Sequence, residues 1–421
     1  MSSSPIWHPF TQHALFPEMR AITSASGAWL TDAAGARVFD AVSSWWVVTH
    51  GHCHPHIVQA IRDQAGRLDQ VIFAGHTHEP AENFARLLLA HMPPALTRLF
   101  FSDSGSTAVE VAIKMALGHF RHRNEGRGAA RHRIVVMENG YHGDTVGTMS
   151  AGERGAFTQP YDPLLYAVDR IPFPAPGREQ TTLDALEQLA RAPETAALLI
   201  EPLALGAGGM LFYPPAILAE MAAICARHGV LLIADEVMTG WGRTGRFLAC
   251  DHAGVVPDIL CLSKGITGGH LPLAVTLCRE EIFAAHWSTD RRKTFFHSSS
   301  YTANPIACAA GVANLEIWAQ EPVQARIDAV AAAQAKGLAR LAAHPKVSGA
   351  RQLGTLLAAE IGGPGSYMAE TGPALLRFFT ERNLLIRPLG NTVYLLPPYC
   401  STEADLTACH EALLEAADVF G

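Results

Sequence analysis

From about residue 98 the chain repeats one pattern: a short apolar run rich in β-branched residues, a glycine-rich or polar turn, then a helical stretch. The runs fall at 99–101, 134–137, 197–201, 230–235, 259–263 and 273–278. Runs that are apolar throughout, rather than at alternate positions, belong to strands buried on both faces. Strands separated by helices pair in parallel, because a parallel partner needs a crossover. The pattern therefore predicts an α/β fold: a large domain with a mainly parallel sheet flanked by helices, over about 46–310. The clearest helix is expected at 107–120. There Thr107 and Glu110 have capping-box spacing, and Val109, Ala112, Ile113, Ala116, Leu117 and Phe120 share one face. Past about 310 the character changes to Ala-rich helix, broken at Pro322, then short strand patterns and a last helix over 403–418. This reads as a smaller α+β domain over 311–421, completed by the N-terminal segment 1–45.

Composition narrows the function. With 49% hydrophobic and 17% charged residues, the chain can bury a large core. A net charge of −7 opposes general binding to nucleic acid. The one arginine cluster (121, 123, 127, 131, 133) has no interleaved aromatics and reads as a solvated helix end and loop. No apolar run approaches the ~18 residues of a membrane span. The start, MSSSPIWHPFTQH, lacks a basic region and is interrupted by Pro5 and Pro9, so it does not read as a secretory signal. Eight scattered cysteines without a C-x-x-C pair read as reduced core thiols of a cytoplasmic protein.

Polar residues gather where the apolar runs end. The first run leads into Ser102-Asp103-Ser104-Gly105-Ser106 and the second into Gly140-Tyr141-His142-Gly143-Asp144; the next three end at Glu201, Asp235 and Lys264. Ligands of open parallel sheets bind beyond those ends. Of the five lysines (114, 264, 293, 336, 346), only Lys264 follows a buried strand and precedes a glycine-rich turn. Burial lowers a lysine pKa, and the neutral amine can attack an aldehyde. The ordinary alternative, a strand-end lysine reaching water, loses ground because Asp235 ends a strand apolar enough to be central. A carboxylate there suits a protonated pyridine nitrogen, whose charge lets the ring accept electrons. Gly105 and Ser106 lie at the start of the helix expected over 107–120, where free N–H groups favour a phosphate. Tyr141 or His142 could stack on a flat ring.

Three other motifs carry less. LLIADE resembles a Walker B strand, but no lysine follows a glycine to complete a P-loop. GWGRTG (240–245) matches GxGxxG, yet no convincing helix opens after it. The histidines of HGHCHPH (50–56) lack common zinc spacing, so turn and packing roles are expected and no metal.

Taken in order, DSGS with its helix, NGYHGDT, IEPL..GAGGM, LLIADEV.TG.GRTG, LSKG.TGG and H…T.NP.ACAA resemble the class III aminotransferases, which are pyridoxal-phosphate enzymes of fold type I. The likeness covers nearly the whole chain. It implies pyridoxal 5'-phosphate as cofactor, with Lys264 forming its Schiff base and moving a proton, Asp235 pairing with the ring nitrogen, and Tyr141 stacking over it. Cofactor contacts are implied at Gly105, Ser106, Glu201, Ser299 and Ser300 as well. The likeness also implies a homodimer with shared sites, in which Ser300 reaches the neighbour's phosphate.

IWHPFT, SSWW.V.HGH, THEPA and IRPLGN.VYLLPPY further resemble the branch acting on 8-amino-7-oxononanoate and S-adenosylmethionine in biotin synthesis. That branch implies substrate contacts at Phe10, Trp45, Trp46, Tyr141, Asp144, Ser298, Arg387 and Tyr394, with Arg387 clamping the far carboxylate. There are two departures. Phe10 stands where adenosylmethionine users usually have tyrosine, and HSSS (297–300) stands where studied members have HGPT. Some relatives use lysine as donor. Other ω-aminotransferase substrates and an idle cofactor-binding homologue are the remaining alternatives.

Overall fold

The computed structural model describes residues 4–123 and 131–421; residues 1–3 of the N-terminal stretch and Arg127 of the arginine cluster lie outside the described residues. The central sheet has seven strands: β1 (Leu96–Ser102), β2 (Arg133–Met137), β3 (Asp169–Ile171), β4 (Thr195–Ile200), β5 (Leu231–Asp235), β6 (Ile259–Leu262) and β7 (Ala274–Arg279). Their order is β1-β7-β6-β5-β4-β2-β3. Only β7 runs against its neighbours, pairing antiparallel with both β6 and β1. Every residue of β4, β5 and β6 is buried, which explains their unbroken apolar sequence.

Alternate side chains of those strands enter two separate cores, one on each face of the sheet. Leu198, Leu232 and Leu260 meet Phe84, Leu186, Leu218 and Cys308 from the helices on one face. Leu199, Ile233 and Ile259 meet Ala108, Val109 and Ala112 on the other. The last three belong to helix α1 (Gly105–Arg123).

Helix α1 begins two residues before the expected position 107, and its cap is a different pair. Thr107 N–H donates to Ser104 Oγ at 3.2 Å, and Ser104 N–H donates to Thr107 Oγ1 at 3.0 Å. Glu110 takes no part in that cap; its carboxylate accepts from the Thr145 hydroxyl at 2.8 Å. The strand β3 escaped the sequence pattern because it is a three-residue edge strand, Asp-Arg-Ile, with one apolar residue.

The N-terminal strands Ile22–Ser26, Trp29–Asp32 and Arg37–Asp40 form a sheet completed in parallel by Leu384–Leu385. Ala28 and Phe39 accordingly share a core with Leu357, Phe379, Leu395 and Leu413. The helix Pro305–Gln320 runs unbroken across residue 310. Among the described residues no helix is long and apolar enough to cross a membrane, and all eight cysteines are free. The histidines of 50–56 each take a separate partner: Asn314 for His50, Asp40 for His52, Glu321 for His54 and Glu316 for His56. No group of three or more metal-ligating side chains occurs among the described residues. The GWGRTG segment is a turn in which Trp241, Gly242 and Gly245 all have positive φ, and no α-helix follows before residue 280.

Candidate active site

The C-terminal ends of the strands open into a cavity of about 410 Å³ lined by Trp46, Gly105, Ser106, Tyr141, Asp144, Glu201, Asp235 and Lys264, among others. Eight sequence-nominated residues therefore converge from six separate segments of the chain. Lys264 lies just past the end of β6 with φ +46, a backbone region that side chains other than glycine rarely occupy. Its Nζ sits 4.5 Å from the centroid of the Trp46 ring. Burial is the main influence on its pKa and brings it from 10.5 to about 8; the Asp235 and Glu201 charges act the other way.

That depression carries a pH signature in the cofactor-free protein. Between about pH 8 and 10.5 the unfolded chain holds more protons at this site than the folded one, so stability rises with pH across the window. The penalty is present in full below about 8 and is gone above 10.5. The stability advantage of Lys264→Met over the unsubstituted chain should therefore shrink from pH 7.5 to pH 10 in denaturant melts. A difference independent of pH would refute the lowered pKa.

Asp235 ends β5 and is buried. His142 Nδ1 contacts its Oδ2 at 2.8 Å, and Val237 N–H donates to Oδ1 at 3.1 Å. Two donors leave acceptor capacity on a carboxylate that lines the cavity. His142 thus supports Asp235, and its Nε2 is buried without a partner among the described residues. Glu201, expected as a cofactor contact, lines the same cavity. Its two oxygens accept from the backbone N–H groups of Tyr141 at 2.9 Å and Gly206 at 3.0 Å. It anchors the Tyr141 loop, and burial raises its pKa to about 7. Burial, then the charge of Asp144 and a hydrogen bond to it, pushes the Tyr141 phenol pKa upward.

The first turn of α1 meets the loop after β2 in a nest of hydroxyls. Ser106 Oγ lies 2.7 Å from both Thr145 Oγ1 and Thr148 Oγ1. The amides of Gly105 and Ser106 have no acceptor within the helix, as at every helix start. Two glycines keep this corner open: a Cβ on Gly105 would lie 2.5 Å from Val237 Cγ1, and one on Gly143 (φ +125) 2.3 Å from Ser106 Oγ. Thr145 was not legible beforehand as part of the site, since nothing in NGYHGDT tells which hydroxyl faces the helix.

On the open side, the Trp46 indole N–H donates to Tyr394 Oη at 2.9 Å. Phe10 packs against Trp45 and against Phe157, each at 5.7 Å between centroids. Arg387 lies 5.5 Å from the Trp45 ring centroid and donates to the Phe10 carbonyl. No carboxylate pairs with it among the described residues, so a surface ion pair does not explain it. Ser298, Ser299 and Ser300 are exposed and do not line the cavity of their own chain. Arg243, from the GRTG turn, was missed. It is buried and donates to the carbonyls of Trp46 (3.3 Å), Val48 (2.9 Å) and Pro397 (3.0 Å). A lone arginine in a glycine-rich turn was the only available signal.

A buried lysine of lowered pKa and an acid at adjacent strand ends, with a helix start and an aromatic wall, make a site suited to a cofactor enzyme of α/β fold. The class-III aminotransferase description matches residues 12–417, and the chain belongs to that family. The adenosylmethionine-8-amino-7-oxononanoate aminotransferase of Synechococcus elongatus is 45% identical over 99% of this chain and 100% of that relative. Its namesake from Nitratidesulfovibrio vulgaris is 40% identical over 96% of this chain and 79% of the relative. Among solved structures, the Methanocaldococcus jannaschii protein of that name superposes with a TM-score of 0.94 at 33% identity, covering 99% of this chain and 97% of the other. An amine transaminase from an uncultivated Pseudomonas species, solved with PLP bound, gives a TM-score of 0.93 at 30% identity, with both chains fully covered.

Pyridoxal phosphate fits the residues present: a free amine, an acid with spare acceptor capacity, and an open corner of unpaired amides that a Cβ would fill. Gly143→Ala should weaken its binding by about tenfold or more, since strain and a clash of this kind cost roughly 1–3 kcal/mol. Fluorescence titration of the cofactor-free protein would read it; unchanged affinity would show that Ser106 is not part of the cup.

Proposed function

We propose that this chain aminates the ketone of 8-amino-7-oxononanoate to 7,8-diaminononanoate, a step of biotin synthesis, with S-adenosylmethionine as amino donor. The observation that carries this reading is Arg387, a cation without a counter-ion among the described residues, at the aromatic rim beside a cavity lined by one lysine. A substrate with a ketone at one place and a carboxylate some distance away suits that pairing. The names borne by the relatives point the same way.

In this reading the Gly105 and Ser106 amides would hold the cofactor phosphate, Asp235 would pair with the ring nitrogen, Tyr141 would stack on the ring, and Lys264 would bind the aldehyde carbon. Pyridoxal phosphate supplies, when bound, a carbonyl that carries the amino group and a ring that accepts electrons from the amino carbon. Once the amine of the incoming substrate has displaced it from the aldehyde carbon, Lys264 Nζ would be free to carry the proton; a pKa of about 8 suits an amine that must both take and give one. His142 and the Val237 amide fix the Asp235 carboxylate, while Glu201 fixes the Tyr141 backbone. Trp45, Trp46, Tyr394 and Asp144 line the substrate path, and Arg387 takes its carboxylate.

We also propose a homodimer in the cytoplasm. Ser299 and Ser300 of one copy reach the phosphate of the other, and Ser298 its substrate. The chain then divides near residues 45 and 310, with the site at the junction.

The test is the near-visible absorbance of pyridoxal-phosphate-loaded protein mixed separately with S-adenosylmethionine and with lysine. Loss of the band with adenosylmethionine, and its return on adding 8-amino-7-oxononanoate, is the expected result. Phe10, which lacks the hydroxyl of the usual tyrosine, favours lysine as the second candidate donor. Loss of the band with lysine alone would move the assignment to that donor, and no change with either would overturn it.

A further inference from the structure

The helix Pro305–Gln320 brings one polar side chain against the lysine turn. Asn314 is 0% exposed. Its Nδ2 donates to the carbonyl oxygens of Gly265 and Ile266, both at 3.1 Å, and its Oδ1 lies 2.9 Å from His50 Nε2. A buried amide is costly unless its donors and acceptor find partners, and here both ends do. Because the NH2 must face two carbonyls, the oxygen needs a donor, and that fixes the proton of His50 on Nε2. Burial keeps this imidazole neutral, with its pKa pushed down to about 3.

The two clamped carbonyls belong to the residues directly after Lys264, whose own φ is +46. Such a backbone persists only where its surroundings over-determine it. Gly265 is held on another side as well, since a Cβ there would lie 2.9 Å from Trp241 Cβ and 3.0 Å from Thr49 Cγ2.

We propose that Asn314 is a positioning residue for Lys264: by clamping the carbonyls of Gly265 and Ile266 it holds the left-handed turn that aims the amine into the cavity, and His50 orients its amide. This rests on the reading of Lys264 as the reacting amine.

The test replaces Asn314 with leucine, which keeps the volume and removes all three hydrogen bonds. The primary readout needs neither cofactor nor turnover: the pH midpoint for acetylation of Lys264 by acetic anhydride in the full-length, cofactor-free chain, followed by peptide mass spectrometry. The midpoint should rise by about one unit or more as the amine leaves its buried setting. In the loaded enzyme kcat should fall by about a hundredfold, with KM for the oxo acid unchanged. His50→Gln keeps an N–H donor and should hold the normal midpoint, whereas His50→Leu should shift it. A folded Asn314→Leu chain with an unmoved midpoint overturns the proposal. Should that variant not fold, the His50 pair decides: equal midpoints in Gln and Leu overturn it. An error in the Lys264 assignment shows separately, as cofactor still fixed by borohydride in Lys264→Ala.

Discussion

Lys264→Ala should leave a folded chain that neither retains pyridoxal phosphate after borohydride reduction nor turns over, with activity down by roughly 10⁴-fold or more. The size follows from the side chain's two tasks, covalent attachment and proton transfer, which alone is worth about 10²–10⁴. No other group replaces it: Asp235 is engaged by His142 and the Val237 amide, and no second lysine lines the cavity. The fold should survive, because the substitution removes an amine that burial already disfavours in its charged form. Circular dichroism and mass spectrometry after reduction are the measurements. Cofactor still fixed to the alanine variant would mean that another lysine is the attachment point.

Arg387→Ala should raise KM for the oxo acid by about 10- to 100-fold while changing kcat by less than about threefold. A charge-assisted hydrogen bond contributes about 1.5–3 kcal/mol, and a carboxylate bound far from the reacting ketone is held alike in ground and transition states. Arg387→Lys keeps the charge without the planar fork and should fall between the two. Steady-state kinetics with the oxo acid varied would settle it. An unchanged KM would reduce Arg387 to its contacts with the Phe10 carbonyl and Trp45, a purely structural role.

The strand ends were the most legible part of the molecule. Unbroken apolar runs place Asp235 and Lys264 next to each other because β5 and β6 pair in parallel, with Asp235 opposite Cys261. What escaped was what surrounds them. His142 meets Asp235 across 93 residues of sequence, and Trp46 meets Tyr394 across 348; no local spacing encodes such contacts. Glu201 was legible as a strand-end acid, but not that two backbone amides would use both its oxygens. The helix start was misread by two residues because Ser104 and Thr107 cap each other, a pairing the sequence offers equally with Thr107 and Glu110. For Ser298–Ser300, no contact within one chain brings them to the cavity at all.

Arg243 also bears on how a substrate gets in. Its guanidinium joins carbonyls at Trp46, Val48 and Pro397, and its own carbonyl accepts from the N–H and hydroxyl of Thr355, both at 3.0 Å. Pro397 and Thr355 belong to the C-terminal part, whereas Trp46 and Val48 lie with Arg243, so swinging the C-terminal part away would break the bonds to Pro397 and Thr355. A hydrogen bond to a charged group contributes about 1.5–3 kcal/mol. We therefore expect hinged opening to be disfavoured and traffic to pass instead through small movements of the rim at Phe10 and Phe157. X-ray scattering of the loaded enzyme should accordingly show the same radius of gyration with and without the oxo acid; a contraction on binding would refute this rigid frame.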